Sequence, residues 1–101
     1  MTVDVRGHWA AHQTNGADVF FNLDQSGDRV FGDAFHNSNR GECEGFVRGD
    51  DVVITVTWSS DSRGRYSGHL GLDKRLSGHT VDLNHPTSQA NWFSDPLPLM
   101  I

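Results

Sequence analysis

Apolar and polar side chains alternate along this chain in short bursts, and clusters of turn-forming residues separate the bursts. A period of two is the mark of strands with one buried face. The turn clusters fall at 14–16, 25–28, 37–41, 49–50, 59–63, 71–74 and 84–88, each rich in Gly, Asn, Asp or Ser. They leave eight predicted strands: Arg6–His12, Ala17–Asp24, Arg29–His36, Glu42–Arg48, Val52–Trp58, Gly64–Leu70, Arg75–Asp82 and Gln89–Phe93. The fifth is almost entirely β-branched, the composition that suits a pleated surface. Connections this short join neighbouring antiparallel strands. The expectation is an all-β, antiparallel, up-and-down meander.

A second pattern bears on the shape of that sheet. An apolar or small residue, any residue, Gly, any residue and another such residue recur at Val5–Trp9, Val30–Ala34, Cys43–Val47, Tyr66–Leu70 and Leu76–Thr80. Each glycine shares a face with its patterned neighbours, so each predicts a core-facing position where a strand bends or another backbone comes close. Such kinks predict an eight-stranded barrel, whose closure removes the exposed edges. Alternation then points Trp9, Val19, Phe21, Leu23, Val30, Val47, Val52, Ile54, Val56, Trp58, Tyr66, Leu70, Leu76 and Trp92 inward. Outward go His8, His12, Phe20, Phe46, Val53, Arg65, His69, Ser77, His79 and Val81.

Length and charge narrow the classes. A chain of 101 residues supports one domain, here a barrel over residues 1–95 with an apolar tail at 96–101, and buries enough surface to fold without staples. A net charge of −5 with scattered Lys and Arg argues against nucleic acid. No long apolar run suggests a membrane span, and no cofactor is expected. Cys43 is the single cysteine, which rules out an internal disulfide framework. With a start that has no basic-then-apolar segment, the expectation is cytoplasmic, although a mature secreted chain with an added Met would read the same.

Laid out on these strands, several fragments resemble the avidin and streptavidin family of biotin-binding barrels. Gly7-His8-Trp9 is similar to that family's Gly-Thr-Trp. Val30-Phe31-Gly32-Asp33-Ala34 resembles Leu-Thr-Gly-Thr-Tyr, and Thr55-Val56-Thr57-Trp58 resembles Thr-Val-x-Trp. Tyr66-Ser67-Gly68-His69 resembles Trp-Ser-Gly-Gln, and Ser88-Gln89-Ala90-Asn91-Trp92 resembles Glu-Ala-Asn-x-Trp. The series is collinear from Gly7 to Trp92 and implies an avidin-like or lipocalin-like barrel with a ligand in one mouth. Trp58 and Trp92 keep the family's aromatics, Tyr66 replaces a third, and Asn15 stands near the family's strand-two serine. The ligand-binding tyrosine of the third strand falls on Ala34, the strand-seven tryptophan on Thr80, and the late aspartate has no counterpart. Tight biotin binding is therefore not expected.

Strand directions gather Gln13, Asn15, His36, Trp58, Gly64, Tyr66, Thr80, Asp82 and Trp92 at one mouth. Aromatic walls with a few convergent polar groups suit a small organic ligand, with Trp58, Tyr66 and Trp92 as walls and Asn15, His36, Thr80 and Asp82 as hydrogen-bonding groups. Two alternatives stand beside this reading. His36 and Asp82, on opposite walls, would make an acid–base pair for a cyclase or isomerase that preorganises its substrate. The second alternative is a structural, oligomerising barrel whose interior these aromatics fill. No metal is expected: His8 and His12 are roughly 13 Å apart in an extended strand, and His69 with His79 lacks a third ligand. Outward Phe20, Phe46, Val53, Val81 and Phe93 predict self-association, as a dimer or tetramer.

Overall fold

A computed structural model describes residues 2–100 and shows a closed antiparallel barrel whose eight strands neighbour one another in chain order. The strands are β1 (Gly7–Gln13), β2 (Asp18–Ser26), β3 (Arg29–His36), β4 (Asn39–Arg48), β5 (Asp51–Trp58), β6 (Arg63–Leu70), β7 (Leu76–Asp82) and β8 (Gln89–Ser94). All eight predicted strands form. The largest difference in bounds is at β4, which begins at Asn39 because Arg40 and Asn39 still pair with Phe35 and His36. Every residue assigned inward is buried or half-buried, so no strand slipped register.

The patterned glycines sit where backbones crowd. A Cβ at Gly32 would overlap the Asn22 carbonyl oxygen, one at Gly45 that of Val53, and one at Gly78 that of Ser67. Side chains there would push the neighbouring strand away and open the curl. Gly68 serves a different end: its missing side chain makes room for the Trp92 ring, 2.8 Å from an ideal Cβ.

Four rings fill the waist of the barrel. Trp9 meets Phe21 at 4.8 Å between ring centroids, Phe21 meets Tyr66 edge-on at 5.4 Å, Tyr66 meets Trp92 at 5.8 Å, and Trp92 stacks back on Trp9 at 6.4 Å. Such contacts stabilise beyond the area they bury, by about 0.5–1.5 kcal/mol per pair. Below the rings, the end formed by the β2–β3, β4–β5 and β6–β7 turns is plugged by both termini. Val3 and Val5 are fully buried there; Val3 N donates to Gly49 O at 2.8 Å, and Gln25 Oε1 accepts from Val5 N at 3.0 Å. Leu97, also fully buried, donates through its N–H to Lys74 O at 2.9 Å. The apolar tail thus closes a barrel end, with two valines beside it that the strand pattern did not reach.

Closure of the ring is its shortest ladder. β1 meets β8 only at Ala11–Ser94, His12–Phe93 and Gln13–Trp92. Side chains extend it. Asp95 exchanges hydrogen bonds with Ala10, its N–H donating to Ala10 O at 3.0 Å and its Oδ2 accepting from Ala10 N at 3.1 Å. His12 lies between two carboxylates, Asp95 Oδ1 at 2.8 Å from Nε2 and Asp18 Oδ1 at 2.9 Å from Nδ1. Hydrogen bonds to Asp95 first and Asp18 second raise the His12 pKa, and His12 in turn holds Asp95 below the usual carboxylate range.

Gly78 has an ordinary backbone conformation, so Gly78→Ala charges the fold only for the clash with β6. Urea denaturation should show a loss of about 3 kcal/mol. Gly64→Ala, whose Cβ would meet nothing closer than 3.8 Å, should change stability by less than about 1 kcal/mol. At the seam, the raised His12 pKa means that its charge contributes fully below about pH 6.5 and fades as pH rises through the higher folded value. The lowered Asp95 pKa contributes above about pH 4 and fades as pH falls through the lower folded value. Asp95→Asn should therefore destabilise most near pH 5–6, by about 0.5–1 kcal/mol because both groups are partly exposed, and the deficit should narrow toward pH 8 and pH 3.

Candidate functional site

The opposite end is formed by the β1–β2, β3–β4, β5–β6 and β7–β8 connections. Two hollows open there, of about 140 Å³ and about 250 Å³. Gln13, Trp58, Ser62 and Tyr66 line both, so these four side chains form the partition between them. The smaller hollow adds Asn15, Arg63, Thr80, Asp82 and Gln89 to its wall, and the larger adds Val19, His36 and Asn39.

Tyr66 forms the floor. It arrives on β6 from the buried face, and its hydroxyl accepts a 2.7 Å hydrogen bond from Gln13 Nε2 on β1, across the barrel. Burial pushes its phenol up to about 12, against a smaller downward pull from Thr80 and Gln13. At neutral pH Tyr66 is thus a fixed, uncharged group able to donate through its O–H, and not a base. Trp58 stands above it, half-buried at the end of β5, where one face packs on the core. The Cys43 thiol, on the buried face of β4, is likewise pushed up to about 12 by burial, which removes it as a nucleophile.

The loops give the rim its polar groups. Asn15 Oδ1 accepts from Ala17 N at 3.0 Å and so fixes the β1–β2 turn, which leaves its amide nitrogen for the hollow. Asp82 Oδ1 accepts from Asn84 N at 2.9 Å and His85 N at 3.2 Å, while Asn84 Oδ1 accepts from Arg63 N at 2.7 Å. Much of Asp82 is therefore engaged in holding the β7–β8 loop, the role its turn position also suggested. His36 Nδ1 donates to Asp18 O at 3.0 Å.

No family model, curated protein or solved structure matches this chain. The site has to be judged on its own geometry. Asn15, Trp58, Tyr66, Thr80 and Asp82 come together around one hollow, as their strand positions implied. His36 belongs to the neighbouring hollow, with Trp58 and Tyr66 between it and Asp82. The two make no hydrogen bond or salt bridge with each other. Trp92 lines neither hollow; it lies deeper, 2 % exposed, in the ring of aromatics, and its Nε1 has no hydrogen-bond partner among the described residues. Sequence reasoning missed Ser62, Arg63, Ser88 and Gln89. They sit in or beside loops at the same end as Asn15, so strand direction alone would have found them. Among the described residues, no group of three or more His, Cys, Asp or Glu side chains is placed to hold a metal ion.

The buried phenol supplies a test. With a pKa raised above its unfolded value near 10, Tyr66 contributes stability that is complete below about pH 10 and is lost as pH rises toward 12. In a Cys43→Ala background, which removes the other buried titrating group, stability should fall by up to about 2–3 kcal/mol across that window. Adding Tyr66→Phe should flatten this alkaline decline, as read from urea midpoints at successive pH values.

Proposed function

We propose that this protein is a small-molecule-binding barrel that takes one compact organic ligand at its open mouth. One observation carries the reading: Trp58 and the Tyr66 hydroxyl meet the polar groups of Gln13, Asn15 and Thr80 around hollows at the end opposite the terminal plug. An aromatic wall offers stacking area, and the fixed donors and acceptors orient what stacks on it. The ligand is small. Each hollow falls below the ~300 Å³ at which drug-sized sites begin, and the smaller is close to the ~150 Å³ that accepts a benzene-sized molecule. A single ring bearing one or two hydrogen-bonding groups fits this description.

Avidin-like ancestry is part of this proposal. The collinear motifs and the closed barrel support it, while Ala34 and Thr80 replace two of that family's ligand-contacting groups. A fused two-ring ligand held by several donors is therefore not the expected occupant. The enzyme reading has less support, since His36 and Asp82 line separate hollows and both are engaged by the backbone. Location in the cytoplasm is proposed on the single free cysteine, Cys43, which fits a reducing compartment.

Native mass spectrometry of freshly purified protein should reveal a co-purified molecule or an apo chain free to bind probes. Titration of the ¹⁵N-labelled chain with phenol, benzamide and indole should then shift the amides of Gln13, Asn15, Trp58, Tyr66 and Thr80. Trp58→Ala should weaken that binding at least about tenfold, the worth of one buried aromatic wall, without altering the far-ultraviolet spectrum. Shifts scattered over the outer wall, or affinity indifferent to Trp58→Ala, would remove the mouth as the site.

A further inference from the structure

The outer wall carries more apolar surface than a lone barrel needs. Phe20, Phe31, Phe35, Phe46 and Phe93 are all exposed, with Phe46 at 53 % and Phe31 at 46 %. Phe20, Phe46 and Phe93 are where alternation placed them; Phe31 and Phe35 are two further exposed rings, while Val53 and Val81 are half-buried. A depression of about 660 Å³ runs over β3, β4 and β5 between Phe31, Phe46 and Val53.

Strand register fixes how its side chains are arranged. Arg29 on β3 is directly opposite Phe46 on β4, and two residues along, Phe31 is directly opposite Glu44. The four make a square on the solvent face, with the two rings on one diagonal and the opposite charges on the other. Both Arg29 and Glu44 are exposed, and neither makes a salt bridge or side-chain hydrogen bond among the described residues.

This square is self-complementary. A two-fold axis lying in the wall along the Phe31–Phe46 diagonal sets Phe31 against Phe31 of a second copy and Phe46 against Phe46. The same rotation sets Arg29 of each copy over Glu44 of the other. An isologous contact needs this property, that residue i meets j while j meets i. We infer that the β3–β4–β5 wall is a homodimer face, with the two phenylalanines at its centre and reciprocal Arg29–Glu44 pairs beside them. A standard interface takes about 800 Å² from each partner, roughly one-seventh of the 5914 Å² this chain exposes. An anionic membrane is a poorer match, because Asp24 and Glu44 flank Phe31 on the two neighbouring strands and the chain carries a net charge of −5.

Sedimentation equilibrium of the full chain, from about 5 μM to about 1 mM, should show a reversible monomer–dimer equilibrium. Phe46→Asp should weaken it at least about thirtyfold. Arg29→Glu and Glu44→Arg should each weaken it about tenfold or more, and the two together should return it to within about threefold of the native value. All four positions are on the surface, so circular dichroism should be unchanged. A monomer at every concentration would overturn the inference, as would dimerisation indifferent to Phe46→Asp. Single reversals that the double variant fails to rescue would overturn the proposed two-fold placement. Binding of the monomer to phosphatidylcholine–phosphatidylglycerol vesicles through Phe46 would assign the patch to a lipid surface instead.

Discussion

A curled ribbon of strands becomes a barrel only where its first and last members meet, and here β1 and β8 share just three residue pairs. Everything else about the molecule depends on that short seam holding. Ladder bonds alone would make it the easiest place to open, since local opening follows the density of buried contacts and protected hydrogen bonds. Asp95 compensates, and Ser94 anchors its approach from the β7 side. The buried Ser94 Oγ accepts from Leu76 N at 2.8 Å and donates to Asp95 O at 2.7 Å, and Arg75 Nη1 donates to Ser94 O at 3.1 Å. Asp95 then continues the ladder along Ala10 and engages His12. The chain passes directly from this knot into the tail, so the residues that lock the seam also aim Leu97 at the barrel end.

That geometry makes the two ends unequal. Both termini approach the end where odd-numbered strands begin, because an even number of up-and-down strands returns the chain to its starting side. Val3, Val5 and Leu97 are available there to fill the taper, and the hydrogen bonds of Gln25 to Val3 and Val5 hold the leading segment in place. The opposite end receives only loops. Its hollows are therefore a consequence of topology, and their floor is set by the ring of Trp9, Phe21, Tyr66 and Trp92.

Most of this architecture could be read from residue order. Five spaced glycines announced the curl, and those at 32, 45 and 78 stand against carbonyl oxygens of neighbouring strands. Alternation placed all of its inward residues, because a period of two leaves one choice per strand and each strand here has a plainly apolar side. The site was legible in part. Strand parity put Asn15, Trp58, Tyr66, Thr80 and Asp82 at one end, yet parity says nothing of depth, and Trp92 proved to be core because Gly68 opens space for it. Nor does it resolve azimuth, so His36 and Asp82 appeared as partners although other side chains stand between them. Val5 was marked only as the first residue of a glycine pattern, and Val3 and Gln25 were beyond reach, since their placement depends on where a non-repeating segment folds back.

Depth and azimuth together determine the kind of ligand such a barrel can hold. An eight-stranded barrel has an interior of side-chain width, and here the waist is already occupied by four aromatic rings. Under the proposed binding role, a ligand would sit above them, against Trp58 and the Gln13–Tyr66 hydrogen bond, and would gain most of its affinity from stacking and one or two oriented polar contacts. Those contacts depend on the rim, whose Asn15 and Asp82 are held by their own loops and not by each other. Reshaping the β1–β2 or β7–β8 connection would thus change what binds while the seam, the rings and the plug remained intact, which separates specificity from stability in this fold.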